Sequence, residues 1–229
     1  MSARDNILAR LRSSVIVAPT LPDVGSWHSS HQRNEDISQR IVRLRTALEA
    51  VHSEVHDTTT TGWPDLLLRI AASKGLRNLL IGAGTPHGDM LEAMQPENLK
   101  IVRYDLPIES WRDQLFDEID ASLTLARSAI AETGSLILWP NAAEPRLMSL
   151  VPHVHFVLLD VTTIHADLHS AISAENWKDT IPTNALLISG PSKTADIQQT
   201  LAYGAHGPRE LIVLLCHAEG VSHAEGVKS

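Results

Sequence analysis

Residues 63–105, "WPDLLLRIAASKGLRNLLIGAGTPHGDMLEAMQPENLKIVRYD", decide the fold of this chain. The first part predicts an α-helix, because its apolar residues recur at helical spacing, Pro64 stands at the opening position and Gly75 follows the end. "LRNLLIG" then predicts a strand, "AGTPHGDMLEAM" a loop and a short helix, and "NLKIVRYD" a second strand. Strands that alternate with helices predict a mostly parallel sheet covered by helices on both faces.

The segments on either side extend this pattern. "NEDISQRIVRLRTALEAVHSEVH" (34–56) and "ESWRDQLFDEI" (109–119) predict helices, "HVHFVLLD" (153–160) a strand, and "TTIHADLHSAIS" (162–173) a helix. Residues 120–140 contain β-type stretches broken at Thr133 and Gly134, which predicts antiparallel strands inserted at the centre of the chain. We therefore predict an α/β fold with a Rossmann-like, mostly parallel sheet.

The two ends of the chain differ from this central part. Residues 3–12 predict a short helix, and the Pro- and Ser-rich stretch after it predicts an extended arm that reaches residue 32. We hypothesise that the arm, which carries Trp27, packs on the body of the protein or on a second subunit of a homo-oligomer. The predicted organisation is thus an N-terminal helix and arm (1–32), one domain (33–216), and a flexible tail (217–229) that repeats HAEGV.

Composition excludes several classes of partner. The 229 residues carry 19 basic and 27 acidic side chains, a net charge of −8, so nucleic acid and anionic membranes are poor partners. No apolar run approaches the roughly 20 residues of a spanning helix, so we expect no membrane insertion. Cys216 is the single cysteine, which excludes an internal disulfide and a four-thiolate iron–sulfur cluster held by this chain alone. We expect a cytoplasmic protein that holds no cofactor of its own.

The sequence "ISGPSKTADIQQTLAYGAHGPRELIVLL" (188–215) predicts a binding site. It is interpreted as a strand, a turn, a helix from about Ser192 to Tyr203, and a final strand, a βαβ unit that places the turn at the carboxyl edge of the sheet. The free N–H groups and the dipole at a helix N-terminus favour an anion, and Lys193 adds a positive charge. We predict that a small carboxylate or phosphate binds to Gly190, Pro191, Ser192, Lys193, Thr194 and Asp196. The alternative is that Gly-Pro-Ser only caps the helix.

Several histidines are candidate functional groups. His206, in the turn after the predicted helix, is a candidate acid/base residue because imidazole titrates near pH ~6.5, although a structural role in a tight turn also explains it. His165 and His169 are four apart on a predicted helix, and His153 and His155 are two apart on a strand. Each pair lacks a third ligand, so we predict no metal site. The spacing of the glycines in "GAGTPHG" (82–88) does not match a dinucleotide fingerprint.

Together with "ARSAIAETGSLIL" (126–138), the 188–215 motif resembles the signature of the LUD domain family, and more narrowly its small lactate utilization members. The similarity covers roughly residues 34–216. It implies a fold related to the NagB/RpiA/CoA-transferase superfamily and a role, with two iron–sulfur partner proteins, in oxidising L-lactate to pyruvate. The positions that match the family are Gly190 to Thr194, Asp196, His206, Gly207, Pro208, Arg209, Glu132, Thr133 and Gly134. On the basis of this resemblance we also assign Gly207 and Arg209 to ligand binding.

The resemblance leaves more than one function open. Because the chain has neither a cluster-binding cysteine set nor a dinucleotide fingerprint, the redox centres are expected in partner proteins and the chain itself is expected to be an accessory subunit. One alternative is acyl transfer of the CoA-transferase type, with Glu132 of "AETG" as nucleophile, unless that carboxylate only holds its turn. Another alternative is a non-catalytic scaffold or regulatory protein that binds a small anion.

Overall fold

A computed structural model describes residues 3–13, 22–180, 182–195, 201–203 and 207–220. The chain divides into two compact units, Met1–Asn34 and Glu35–Ser229. The first unit contains helix α1 (Ala3–Ser13) and helix α2 (Val24–His31). The Asp23 carboxylate accepts a hydrogen bond of 3.0 Å from the Ser26 N–H and so caps the start of α2. This cap explains why part of the predicted extended arm is helical.

The second unit is built on a six-stranded sheet in the order β1-β12-β7-β4-β2-β3. Every neighbouring pair in it is parallel. The strands are β1 (Glu54–Thr59), β2 (Asn78–Gly82), β3 (Lys100–Tyr104), β4 (Ala121–Leu125), β7 (Val154–Asp160) and β12 (Glu210–His217). The parallel sheet predicted from the alternation of strands and helices is confirmed. The last strand continues through His217, the first residue of the predicted tail.

Helices cover both faces of this sheet. They are α3 (Ile37–Ala50), α4 (Trp63–Ser73), α5 (Pro86–Ala93), α6 (Ile108–Asp117), α7 (Leu168–Ala174) and α8 (Trp177–Thr180). On one face Leu67 of α4 and Leu91 of α5 pack in a cluster with Phe156. On the other face Leu48 of α3 packs in a cluster with Val157, the next residue of the same strand. Successive residues of a central strand are therefore buried on opposite faces, which confirms the predicted layered α/β fold.

A second, four-stranded sheet lies on the α3 side in the order β8-β5-β6-β9. Its strands are β5 (Ser128–Ile130), β6 (Ser135–Leu138), β8 (Ile164–His165) and β9 (Leu186–Ile188). The β5–β6 pair is antiparallel and turns at residues 131–134. The break at Thr133 and Gly134 therefore marks a hairpin, as the sequence predicts.

Two sequence predictions around these elements are wrong in extent. The predicted helix 34–56 ends at Ala50, and residues 54–59 form β1, an edge strand that pairs with β12. Its sequence, EVHDTT, is polar, as is common for a strand that pairs on one side only. It therefore has no apolar pattern from which a strand could be predicted. The predicted helix 162–173 instead begins at Leu168, after a short 3-10 helix (Val161–Thr163) and β8.

The predicted βαβ unit at the end of the chain is also wrong. β9 pairs antiparallel with β6 in the second sheet and not with the main sheet. Residues Lys193–Ala195 (β10) and Leu201–Tyr203 (β11) form an antiparallel pair, so the described part of 192–203 contains strands where a helix was predicted. The helix prediction depended on cap-like residues, whereas helices in proteins owe most of their stability to a packed face.

Within the described residues, no helix combines the length and the apolar character needed to cross a bilayer.

Candidate functional site

An open cleft of about 200 Å³ lies where the loop after β9 meets the loop before β12. It brings together Gly190, Ser192 and Gly207, three of the residues that the sequence predicts to bind a ligand. The full lining is Ser149, Leu150, His155, Leu187, Ile188, Ser189, Gly190, Ser192, Gly207, Pro208 and Leu211. Two parts of the long motif that are distant along the chain therefore form one surface.

A backbone hydrogen bond joins the two loops of the cleft. The Ser192 N–H donates to the Pro208 carbonyl at 2.7 Å. Pro208 lies just before Glu210, the first residue of β12, and His155 is the second residue of β7. The cleft thus lies at the edge where these strands begin, and the predicted position at the carboxyl edge of the sheet is wrong. The reason is that β9 belongs to the second sheet, so no right-handed crossover carries this loop to the other end.

Gly190 fixes the path of the loop that forms one wall of the cleft. Its φ of 144° lies in a region that residues with a side chain rarely adopt. A Cβ at this position would lie 2.7 Å from Cγ2 of Val51, the residue that follows α3. The glycine is therefore required both by the backbone conformation and by the close approach to Val51.

His155 is the buried polar residue of the cleft. Its side chain is 0% exposed, and its Nε2 lies 2.8 Å from Oγ1 of Thr124 on the neighbouring strand β4. Its Nδ1 is buried and has no hydrogen-bond partner among the described residues. Burial lowers the pKa of His155 to about 3, so the imidazole is neutral at physiological pH. From the sequence, this residue is considered only as a possible metal ligand. The feature that could have identified it as a site residue is a histidine inside an otherwise apolar strand.

A chain of hydroxyl groups leads from the cleft to the β5–β6 turn. Ser189 Oγ lies 2.6 Å from Ser135 Oγ, which lies 2.7 Å from Thr133 Oγ1. Glu132, the predicted catalytic residue of this turn, is not part of the chain. Its side chain is 52% exposed, pairs with Arg43 at 3.6 Å, and does not line the cleft. The structure therefore gives Glu132 a surface ion pair and does not bring it to Gly190.

The other predicted residues are placed as follows. Lys193 and Arg209 are exposed and do not line the cleft, and Pro191 is half-buried beside it. The backbone of Thr194 pairs with Ala202 in the β10–β11 hairpin. Asp196 and His206 lie outside the described residues. The described lining residues carry no formal charge, because His155 is neutral. Lys193–Ala195 form β10, so the described residues contain no helix N-terminus next to Lys193 of the kind on which the anion site was predicted.

A second polar cluster, missed by the sequence analysis, lies at the opposite edge of the sheet, where β2 and β4 end. His87 Nε2 lies 2.9 Å from Oε1 of Glu144, and the Leu125 N–H donates to the same oxygen at 3.2 Å. Both side chains are mostly buried, with 10% and 14% exposed. A Cβ at Gly82 would lie 2.8 Å from Cγ of Glu144, so the glycine makes room for the carboxylate.

The described residues contain no group of three or more His, Cys, Asp or Glu arranged to hold a metal ion. His165 lies on β8 and His169 on α7, so the two do not share one helix as predicted. His153 precedes β7 and is exposed, whereas His155 is buried. Cys216 is the single thiol, and burial raises its pKa to about 11. One buried, protonated thiol does not fit the thiolate set that an iron–sulfur cluster requires.

The parallel sheet with helices on both faces and an inserted antiparallel sheet define an α/β protein of the Rossmann-like class. The profile of the LUD domain family matches residues 41–216, and this chain belongs to that family. A crystal structure of a DUF162 family protein from Deinococcus radiodurans has the same fold, with a TM-score of 0.58. The two are 19% identical, over 80% of this chain and 99% of the other.

Three of the relatives known from sequence match between 72% and 98% of the chain. An uncharacterized protein from Neisseria meningitidis serogroup B is 38% identical over 232 residues, 98% of each chain. Lactate utilization protein C from Bacillus licheniformis is 25% identical over 175 residues, 72% of this chain and 73% of the relative. Lactate utilization protein C from Bacillus pumilus is 22% identical over 240 residues, 96% of this chain and 98% of the relative.

Proposed function

We propose that this chain is a component of an L-lactate utilization system, in which it acts with iron–sulfur partner proteins to oxidise L-lactate to pyruvate in the cytoplasm. The observation that carries the proposal is the similarity to lactate utilization protein C of Bacillus pumilus, which spans 96% of this chain and 98% of that protein. A match of this extent relates the whole architecture of the two proteins and not one shared motif.

In this proposal the chain binds the substrate and its partner proteins transfer the electrons. Oxidation of lactate to pyruvate removes two electrons, which must pass to an acceptor. The donor set for an iron–sulfur cluster is missing from the sequence, since Cys216 is the only cysteine. We therefore assign the clusters to the partners and an accessory, ligand-binding role to this chain.

The cleft between the β9 and β12 loops is the proposed ligand site, and a small carboxylic acid is the proposed ligand. A volume of about 200 Å³ suits a molecule of a few heavy atoms. The lining that the structure describes carries no charge, which favours a monoanionic carboxylate over a dianionic phosphate, because each further charge taken from water without a compensating cation is costly. Ser189 and Ser192 are polar residues of this lining.

Growth on a defined carbon source tests the role in the cell. We expect that a strain lacking the gene grows normally on glucose, fails to grow on L-lactate, and recovers when the intact chain is supplied from a plasmid. Undiminished growth of the deletion strain on L-lactate would overturn the proposal.

Purification of the tagged chain from lactate-grown cells tests the partners. The expected result is co-purification of proteins that contain iron and acid-labile sulfide, and their absence from an untagged culture that is treated identically. A tagged chain that purifies without iron, from cells in which it supports growth on lactate, would exclude a stable complex with cluster proteins.

A further inference from the structure

We propose that His155 is the ligand-recognising residue of the cleft, and that its neutral imidazole donates a hydrogen bond from Nδ1–H to a carboxylate or carbonyl oxygen of the bound acid. This inference deepens the proposed function and rests on it only for the choice of L-lactate and pyruvate as probes. Three features carry it: the partner of Nε2, the missing partner of Nδ1, and the position of the ring at the cleft.

The hydroxyl group of Thr124 fixes which nitrogen of the ring holds the proton. Thr124 is 2% exposed, and within the described ranges its Oγ1 contacts a single hydrogen-bonding atom, Nε2 of His155 at 2.8 Å. If Nε2–H donated to Oγ1, both the hydroxyl hydrogen and the bare Nδ1 would be unpaired within the described residues, whereas a hydroxyl that donates to Nε2 leaves only Nδ1–H unpaired. We infer that the hydroxyl donates to Nε2. Nε2 is then the acceptor of the neutral ring, and the proton of the imidazole is on Nδ1.

The protonated Nδ1 is left without an acceptor in the part of the chain that the structure describes. Buried N–H groups in native proteins are almost always paired, so an unpaired one at the wall of a cavity indicates a group that can pair with a molecule in that cavity. Nδ1 of His155 is one of seven buried side-chain atoms without a partner in the described residues, and of these seven it alone belongs to a residue that lines the cleft.

The neutral state of the ring determines what it selects. Burial prevents protonation at physiological pH, so the His155 ring offers a polarised N–H and carries no positive charge. An N–H of this kind pairs well with a carboxylate or carbonyl oxygen and poorly with a cationic or purely apolar ligand. Leu187, Ile188 and Leu211 supply an apolar wall, which suits a short carbon chain attached to the acid group.

The test measures the binding of L-lactate and pyruvate to the full-length chain. Calorimetry gives the affinity, and long-range 15N–1H NMR of the histidine rings gives the tautomer of His155. We expect His155 to be protonated at Nδ1 in the free protein, and its Nδ1–H resonance to shift when either acid is added. His155→Leu should weaken binding by about 10- to 100-fold, since a hydrogen bond to a charged acceptor is lost. His155→Asn, which retains a donor near the position of Nδ1, should restore part of the affinity.

Three further variants separate recognition from folding. Thr124→Val removes the group that fixes the tautomer and should weaken binding, whereas Thr124→Ser should keep it. His87→Asn removes a mostly buried imidazole at the opposite edge of the sheet and serves as the matched control with unchanged affinity. If His155→Leu does not fold, the tautomer and the ligand-induced shift of the wild-type resonance still decide the question.

Different results would overturn the two proposals. A ring protonated at Nε2, tight binding of the acids by His155→Leu, or no binding of either acid to the wild-type chain would each overturn the role of His155. A deletion strain that grows on L-lactate would overturn the proposed function, while a shift of the His155 resonance on addition of acid would still support the recognition role.

Discussion

A side chain at Gly190 would collide with Val51, because its Cβ would lie 2.7 Å from Cγ2 of that residue. Val51 is the residue that follows the end of helix α3, and Gly190 lines the cleft. The shape of the cleft is therefore coupled to the position of a helix terminus that does not line it. This coupling explains why a loop without helical or strand structure still holds a defined backbone conformation.

We expect Gly190→Ala to lower the free energy of unfolding by about 2–4 kcal/mol, the sum of an unfavourable φ and a steric overlap. Urea denaturation provides the measurement. The double variant Gly190→Ala, Val51→Ala should regain the unfolding free energy that the steric overlap removes. The loss caused by the unfavourable φ should remain. Gly75→Ala is the control for φ alone, because Gly75 has a φ of 65° and no atom within 4 Å of its Cβ position. If the double variant is no more stable than Gly190→Ala, the contact with Val51 is not the cause.

Glu132→Gln should change little, because Glu132 makes a partly exposed ion pair and does not line the cleft. We expect a loss of less than about 1 kcal/mol in the free energy of unfolding and normal growth on L-lactate. The matched variant is Glu35→Gln, since Glu35 accepts two hydrogen bonds from the same Arg43 at 2.9 and 3.0 Å and should cost more. Loss of growth with a correctly folded Glu132→Gln protein would restore the case for a catalytic carboxylate.

Sequence patterns predicted the parts of the fold that depend on apolar periodicity. The parallel strands around Leu80 and Phe156 and the amphipathic helix α3 belong to this group. Strand β1 was missed because it is polar and pairs on one edge, and the β10–β11 hairpin was missed because Gly190, Pro191 and Ser192 fit a helix cap as well as they fit a loop.

The residues of the candidate site also divide into those that a pattern along the chain identifies and those that only the three-dimensional packing identifies. The pattern identified Gly190, Ser192 and Gly207, which do line one cleft, because glycine and serine at a turn are visible along the chain. It could not show that Lys193 is exposed, since that depends on how the hairpin leaves the cleft. Nor could it assign His155, because its role depends on Thr124, a residue 31 positions away.

The stability of the protein should depend on His155 at mildly acidic pH. Burial lowers the pKa of His155 from 6.5 to about 3, so between these values the unfolded chain binds a proton that the folded chain does not bind. Stability from this residue is therefore complete above about pH 6.5 and falls as the pH decreases, by up to about 1.4 kcal/mol per pH unit. Unfolding of the wild type and of His155→Asn at about pH 7 and about pH 5 isolates this contribution. If the free energy of unfolding decreases equally for both proteins between the two pH values, His155 is not buried in its neutral form.

Cys216 should be unreactive in the native protein. Its side chain is 8% exposed, and burial raises the pKa of the thiol to about 11, so little thiolate is present at neutral pH. Iodoacetamide should modify the native chain slowly and modify one thiol per chain rapidly after unfolding in guanidinium chloride. Ser110→Cys, which places a second thiol at an exposed position, provides the control for rapid reaction. Fast modification of Cys216 in the native state would mean that strand β12 opens readily.

The His87–Glu144 pair should contribute to stability only while Gly82 leaves space for it. A double-mutant cycle with His87→Ala and Glu144→Ala should give a coupling energy of about 1–2 kcal/mol, because both partners are mostly buried and the hydrogen bond is short. A Cβ at Gly82 would lie 2.6 Å from the Ala143 carbonyl oxygen and 2.8 Å from Cγ of Glu144, so Gly82→Ala must displace the segment that carries the carboxylate. Repeating the cycle in a Gly82→Ala background should therefore reduce the His87–Glu144 coupling towards zero. The partly exposed pair Glu92–Arg103 should couple more weakly than His87–Glu144 in the wild-type background, and Gly82→Ala should leave its coupling unchanged. Full coupling in the Gly82→Ala protein would show that the carboxylate reaches His87 by another path, and that the glycine at the end of β2 is not what holds the pair together.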